Sequence, residues 1–373
     1  MFDLPRLWRY PRAILSDALA KRLLAQERIA FYGPRQTGKT SLLREEVSPA
    51  IEARGGLVIY ADCWADRADP LAGINYALQK ALDDLTIPKK GIGRSLASPV
   101  KKVGVGGATL ELADLPTRRI PSSPYLLFDA LLTTLLRETS KKIVLIVDEF
   151  QAIADATDGD AIAAAMRAAL TQASGRVGVL FSGSSDVKLL QLFSRAKAPM
   201  YGYATTTIYP LLDGLFVEHV ANQFRAATRR AFDVKAATEQ FTRFGCQPES
   251  FLAVVSYLLA NPKWSFAEAE AAMLDRSAVN KWSAQWHALT PLQQGVLVVL
   301  ANDASPGTRI GLNQISTLTG QRVVGSSVSR ALSALTNSAL IEKTVAGARA
   351  PYVVLDPVMR EWVRRNYQLP KAG

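Results

Sequence analysis

Apolar residues along this chain follow two rhythms, and the change between them falls near residue 212. In the first part, short unbroken apolar runs alternate with longer stretches of helical spacing. Ile-Ala-Phe-Tyr, within Arg28 to Gly33, runs straight into Gly33-Pro34, the form of a buried parallel strand stopping at a loop. A helix is expected after that loop, through Thr40 to Glu46. Leu57 to Cys63 (LVIYADC) follows the Gly55-Gly56 turn and predicts a second strand, and Asp69 to Leu85 predicts a helix. Tyr125 to Thr139 reads as a further helix, Lys141 to Asp148 (KKIVLIVD) as a central strand, Arg176 to Gly183 (RVGVLFSG) as another, and Thr205 to Leu211 (TTTIYPL) as a fifth. Strands alternating with helices predict an α/β fold with a doubly wound parallel sheet, whose ligands sit at the carboxyl ends of the strands.

Residues 89–124 interrupt the alternation. Lys89, Lys90, Arg94, Lys101, Lys102, Arg118 and Arg119 face only Glu111 and Asp114 there, among many glycines and prolines, so an inserted basic hairpin or loop is expected. Beyond Leu212 only helices are predicted: Asp213 to Ala227, Ala236 to Phe244, Pro248 to Ala260 and Phe266 to Ser277. The last stretch gives a helix, a short helix, a longer helix, a small hairpin of Ile341 to Lys343 and Pro351 to Leu355 about Gly347, and a closing helix. That order predicts a winged helix-turn-helix. The expected organisation is a core over 1–212, a helical lid over 213–285 and a winged-helix domain over 286–373.

Composition agrees with a multidomain globular chain: 373 residues, 49% hydrophobic and 21% charged. Lys and Arg number 44 against 33 for Asp and Glu, a net +11 that favours anionic partners such as nucleic acid or acidic lipid. Cys63 and Cys246 form no C-x-x-C pair, and His219 and His287 are the only histidines, so neither a disulfide framework nor a Cys/His metal site is expected. The opening MFDLPRLWRYP has no charged segment leading into an apolar stretch, and no apolar run of about 18 residues occurs. A soluble, cytoplasmic protein without a membrane partner is the expectation.

The candidate chemistry begins at the first loop. Gly33-Pro34-Arg35-Gln36-Thr37-Gly38-Lys39-Thr40, followed by Ser41, satisfies G-x-x-x-x-G-K-[ST] between a predicted strand and a predicted helix. Its glycines let successive N–H groups turn inward, where they and the positive end of the helix neutralise phosphate oxygens. Lys39 is expected at the β- and γ-phosphates of ATP, and the Thr40 hydroxyl on Mg²⁺. A second anchor for the ion is expected at the end of IVLIVD, where Asp148 would hold it through water, and Glu149 stands ready to orient or deprotonate an attacking water.

Loop, acid pair and spacing together resemble the P-loop ATPases with an added catalytic glutamate (ASCE/AAA+-like). Within them the chain is similar to the archaeal-type ATPase family beside the STAND and AAA+ groups, with an ORC/Cdc6-like layout. The resemblance is carried by GPRQTGKTSLL, IVDEFQAI, FSGSS, APMYGYATTTIYPL and YVVLDPVMREW. It implies ATPase activity with ATP/ADP as ligands, a polar sensor at Ser184 (Ser182 being the alternative) and a lid motif in Gly245-Cys246-Gln247-Pro248, with Pro248 near nucleotide. Where relatives read Tyr-Gly-Arg this chain has Tyr201-Gly202-Tyr203, so an arginine acting on a neighbouring subunit of a homo-oligomer is missing there. Arg195 is the nearest substitute.

In the last module, Gly325 to Leu335 is expected as a recognition helix. Ser326 and Ser327 would cap it and meet phosphate, Arg330 would point outward, and Val328, Leu332 and Leu335 would pack inside. Arg322, Lys343 and Arg349 would flank it, a thin basic face open to DNA or to a protein partner. Trp282 and Trp286, at helical spacing, are expected to pack rather than stack on bases. The function expected is an ATP-driven switch that couples nucleotide state to DNA or protein binding. The contrasting expectation is a non-hydrolysing, nucleotide-bound regulator or DNA-binding scaffold.

Overall fold

A computed structural model describes residues 8–86, 121–184, 186–344 and 351–370. They form two compact units, the first built from Arg12–Arg35 and Lys39–Tyr209, the second from Pro210 onward together with residues 8–11 and Gln36–Gly38. In the first unit β1 (Arg28–Tyr32), β2 (Leu57–Asp62), β3 (Ile143–Asp148), β4 (Val177–Gly183) and β5 (Thr205–Ile208) make one sheet in the order β2-β3-β4-β1-β5. Every pairing is parallel. β3 and β4 are buried at every residue, which is why they read as continuous apolar runs rather than as alternation. β5, at the edge, is largely exposed.

Successive side chains of the strands enter different cores. Leu145, Val147, Val179 and Phe181 meet the helices Pro70–Thr86, Pro124–Glu138 and Gly159–Gln172 on one face. Val144, Ile146, Leu180, Ile29 and Phe31 meet Leu19, Leu23, Leu42 and Val47 on the other. The helices Ala13–Leu24, Gly159–Gln172 and Asp186–Ser194 complete the layers beyond the elements assigned from spacing. The first lies so close that a Cβ on Gly178 of β4 would stand 2.0 Å from the Leu23 carbonyl oxygen.

The helix after the loop starts at Lys39 and continues to Glu52, past the predicted end at Glu46. It widens to i→i+5 bonding over Leu43–Val47. Pro49 supplies the reason, since it has no N–H and its ring would crowd the Glu45 carbonyl in a regular helix. Of the expected insert at 89–124, residues 89–120 lie outside the described residues, and Pro124 opens a helix.

The second unit holds the helices Gly214–Thr228, Val234–Arg243, Pro248–Ala260 and Phe266–Ser277. Asp213 caps the first of these by accepting from Leu215 N, and Ser265 with Glu268 forms a reciprocal capping box on the fourth. After them come Pro291–Ala301, Arg309–Thr319, Gly325–Asn337, the antiparallel pair β6 (Ile341–Lys343) and β7 (Tyr352–Val354), and Pro357–Asn366. One apolar core runs from Phe216 through Phe251 and Val298 to Val363. Trp282 and Trp286 are buried in it: Trp286 stacks on Tyr367 at 4.4 Å and meets Trp362 edge-on at 5.6 Å, so both indoles pack.

The helix Gly325–Asn337 corrects one expectation. Its N-cap is Val324, so Ser326 and Ser327 lie inside the first turn and cap nothing. The helix starts at Gly325 as expected, and Val324 takes the extended backbone of the N-cap (φ −116°, ψ 156°) without a side-chain cap. Val328 and Leu335 are buried and Arg330 is exposed, as the spacing predicts. Arg322 and Lys343 are exposed, whereas Arg349 and Gly347 lie outside the described residues. No helix among the described residues is long and apolar enough to cross a membrane.

Candidate functional site

The sheet order decides where chemistry can gather. β4 lies between β1 and β3, with Tyr32 beside Gly183 and Val147 beside Phe181. The loop after β1, the acids after β3 and the serines at the end of β4 therefore emerge side by side at the carboxyl edge.

The loop turns through two residues in the left-handed region, Gln36 (φ 60°) and Gly38 (φ 93°). Gly33 leaves β1 hard against Tyr209, where an added Cβ would sit 2.9 Å from the Tyr209 Cβ. Lys39 is buried and folds back over the loop, donating from Nζ to the carbonyl of Gly33 at 2.7 Å and of Pro34 at 2.5 Å. A triphosphate offers the same ammonium charged acceptors in place of neutral ones. Thr40 and Ser41 are exposed in the first helical turn.

Asp148 ends β3 almost fully buried and holds its carboxylate with four donors. Oδ2 accepts from Thr40 Oγ1 at 2.8 Å and from the Tyr60 hydroxyl, and Oδ1 accepts from Ser182 Oγ and from Glu149 N at 3.0 Å. Four bonds match the acceptor sites of an ionised carboxylate, which is how a buried charge of this kind is kept. Burial, and next the negative charge of Asp148, push the Tyr60 phenol well above its ordinary value, so it stays a donor. Arg44 closes the group from outside, its guanidinium 4.3 Å from the Tyr60 ring and 3.9 Å from Asp62 Oδ2. A neighbouring hydroxyl and carboxylate oxygen, Thr40 Oγ1 and Asp148 Oδ2, fit a hard cation such as Mg²⁺ completed by phosphate oxygens and water. No group of three or more His, Cys, Asp or Glu among the described residues could hold a metal by itself.

Glu149 takes a left-handed backbone (φ 54°), uncommon away from glycine. Its Oε2 accepts from Ser184 Oγ at 2.9 Å and from Gln151 Nε2. Arg35 of the loop donates from Nε to Ser184 Oγ at 3.3 Å and lies 5.1 Å from the Trp64 ring. Of the two candidate sensors, Ser184 faces Glu149 and the loop, while Ser182 is committed to Asp148.

Lys39, Thr40, Asp148, Glu149, Ser184 and Arg35 are thus brought together. Arg195 is exposed beyond the helix Asp186–Ser194 and sits 3.5 Å from Asp160 Oδ1. Pro248 opens a helix of the second unit after Gly245 and Cys246, both left-handed. Sequence reasoning missed Tyr60 and Gln151. Tyr60 sits in an apolar run where its ring reads as packing; Gln151 stood in the quoted IVDEFQAI, its polarity two places after the acids the one available signal.

No known family's sequence pattern matches the chain, and no curated protein matches it. Solved structures do. The chain shares its fold with the Walker-type ATPase of Pyrococcus abyssi, at a TM-score of 0.58 and 16% identity over 94% of this chain and 95% of that one. The ORC2 protein of Aeropyrum pernix in its ADPNP–ADP complexes aligns at a TM-score of 0.55 and 14% identity, over 96% of this chain and 94% of that one. Its ADP form gives 0.52 and 12%, covering 97% of each. The fold is that of the archaeal ORC-like, Walker-type P-loop ATPases.

Proposed function

We propose that this chain binds ATP with Mg²⁺ at the loop Gly33 to Thr40, hydrolyses it slowly or on stimulation by a partner, and uses the nucleotide state as a switch. The observation that carries the reading is the pairing of Thr40 Oγ1 with Asp148 Oδ2 at 2.8 Å beside Glu149. Loop, Thr40 and Asp148 give binding; Glu149 adds the base that separates a hydrolase from a passive binder. Lys39 would leave the loop carbonyls for the β- and γ-phosphates, and Ser184 would stand by the γ-phosphate. Mg²⁺, when bound, supplies charge neutralisation on the phosphate oxygens. The Aeropyrum pernix ORC2 protein, solved with ADP and with ADPNP, supports nucleotide as the ligand.

The output of the switch is proposed to run through the C-terminal module, read as a winged helix that binds DNA. No Asp or Glu occurs between Asp303 and Glu342, while Arg309, Arg322 and Arg330 do. The helix Gly325–Asn337 exposes Ser326, Ser329, Arg330, Ser333 and Asn337, a face without carboxylates that suits a phosphate backbone. The deciding experiment is Glu149→Gln in the full chain: ATP binding by calorimetry should persist while phosphate release is lost. Unchanged phosphate release would remove Glu149 from catalysis, and no release from the unaltered protein under any condition would favour the non-hydrolysing scaffold.

A further inference from the structure

Gln151 is an amide only 3% exposed, two residues past Glu149, and the reaction proposed above gives it no part. Its nitrogen Nε2 donates to Glu149 Oε2 and, at 3.1 Å, to Ser184 Oγ. Its oxygen Oε1 accepts from Ser184 N at 3.3 Å. With a donor facing one end and acceptors facing the other, only one orientation of the amide satisfies the network.

The consequence falls on Glu149. Its Oε2 receives two donors, Gln151 Nε2 and Ser184 Oγ, while Oε1 has no partner among the described residues. A carboxylate pinned through one oxygen presents the other in a set direction, as a base that takes a proton from a positioned water requires. The surrounding backbone makes room for this. Phe150 N donates to Ser182 O at 2.8 Å, tying the turn after β3 to β4. A Cβ on Gly183 would stand 2.6 Å from Gln151 Oε1, so the amide fills the space that any other side chain at 183 would need.

We propose that Gln151 is the positioning residue of Glu149, and that position 183 is glycine so that this amide can lie over it. The proposal rests on the reading of Glu149 as the base. A purely structural amide would also be buried and bonded; losing it would lower stability or nucleotide affinity without acting selectively on turnover.

The test is Gln151→Met in the full chain, which keeps the length of the side chain and removes its donor. Turnover should fall about 10- to 100-fold, the cost of misplacing a catalytic group by a fraction of an ångström to an ångström. KM and ADP affinity should stay as they are, because the lost interaction matters only in the transition state. Gly183→Ala, which displaces the amide, should reproduce the loss, and the double variant should be no worse than either single one. Should Gln151→Met not fold, Gln151→Asn, which withdraws the amide by one methylene, gives the same reading. Full turnover in a folded Gln151 variant, or a loss expressed as raised KM or weakened ADP binding, overturns the proposal. Glu149→Gln separates the two failures: inactive Glu149→Gln with fully active Gln151→Met sinks the positioning role alone, whereas active Glu149→Gln sinks the base and this proposal with it.

Discussion

Thr40 Oγ1 donates to Asp148 Oδ2 across 2.8 Å, although 108 residues separate the two in the chain. β4, lying between their strands, is what makes this distance possible, because it spaces β1 from β3 and fills the gap with Ser182 and Ser184.

Lys39 donates from Nζ to the neutral carbonyls of Gly33 and Pro34, and a phosphate would offer the same ammonium charged acceptors. Lys39→Met should weaken ADP and ATP binding by about 10- to 100-fold, the worth of one charge-assisted hydrogen bond. Calorimetry on nucleotide-free protein measures it.

Tyr60 is one of four donors to Asp148. Tyr60→Phe should reduce the gain in ADP affinity that Mg²⁺ gives by about 10-fold, as expected for losing a partner that orients a metal ligand. Titrations with Mg²⁺ and with a chelator supply the comparison. The phenol's pKa is raised in the folded chain, so the unfolded chain loses this proton first. Tyr60 therefore contributes stability that is complete below the ordinary tyrosine value of 10.0 and declines as pH rises above it. The alkaline fall in thermal midpoint should be shallower in Tyr60→Phe.

Gly178 faces the Leu23 carbonyl with no room for a methyl group. Gly178→Ala should cost roughly 2–3 kcal/mol or more, because the helix Ala13–Leu24 must move off the sheet. Denaturant unfolding of the full chain, followed by circular dichroism, gives the value, and an unaltered midpoint would mean that this helix yields without cost.

Arg322, Arg330 and Lys343 are exposed around the helix Gly325–Asn337. If they meet DNA phosphates, each neutral substitution should flatten the salt dependence of binding by about 0.9 in the log–log slope. A slope that ignores all three would leave the module to a protein partner.

Much of this was legible beforehand for identifiable reasons. IVLIVD and RVGVLFSG announce strands covered on both faces, since only such strands can be apolar at every position. The loop Gly33 to Thr40 announces itself because it carries glycine, lysine and hydroxyl at the fixed spacing of the G-x-x-x-x-G-K-[ST] motif. Other features were hidden. Ser326 carries the residue type of a cap, yet Val324 occupies the place, because a helix start is chosen by backbone geometry in context. Gly159–Gln172 is not among the elements assigned from spacing although Ile162, Ala163, Met166, Ala169 and Leu170 recur at helical spacing, because small alanines weaken the contrast between its faces; they are buried against the sheet that the helix covers.

The amino-acid sequence by itself determined the chemistry available: which strand ends in the glycine- and lysine-bearing loop, which ends in two acids, and which hydroxyls stand near either in the chain. Local spacing is enough for that, because loop and strand rules act over a few residues. Only the tertiary structure decided which groups share those acids. Tyr60 reaches Asp148 from 88 residues away and Ser184 reaches Glu149 from 35. Both meetings depend on which strands are neighbours and in what register, and that is set by the packing of the whole sheet between its helices.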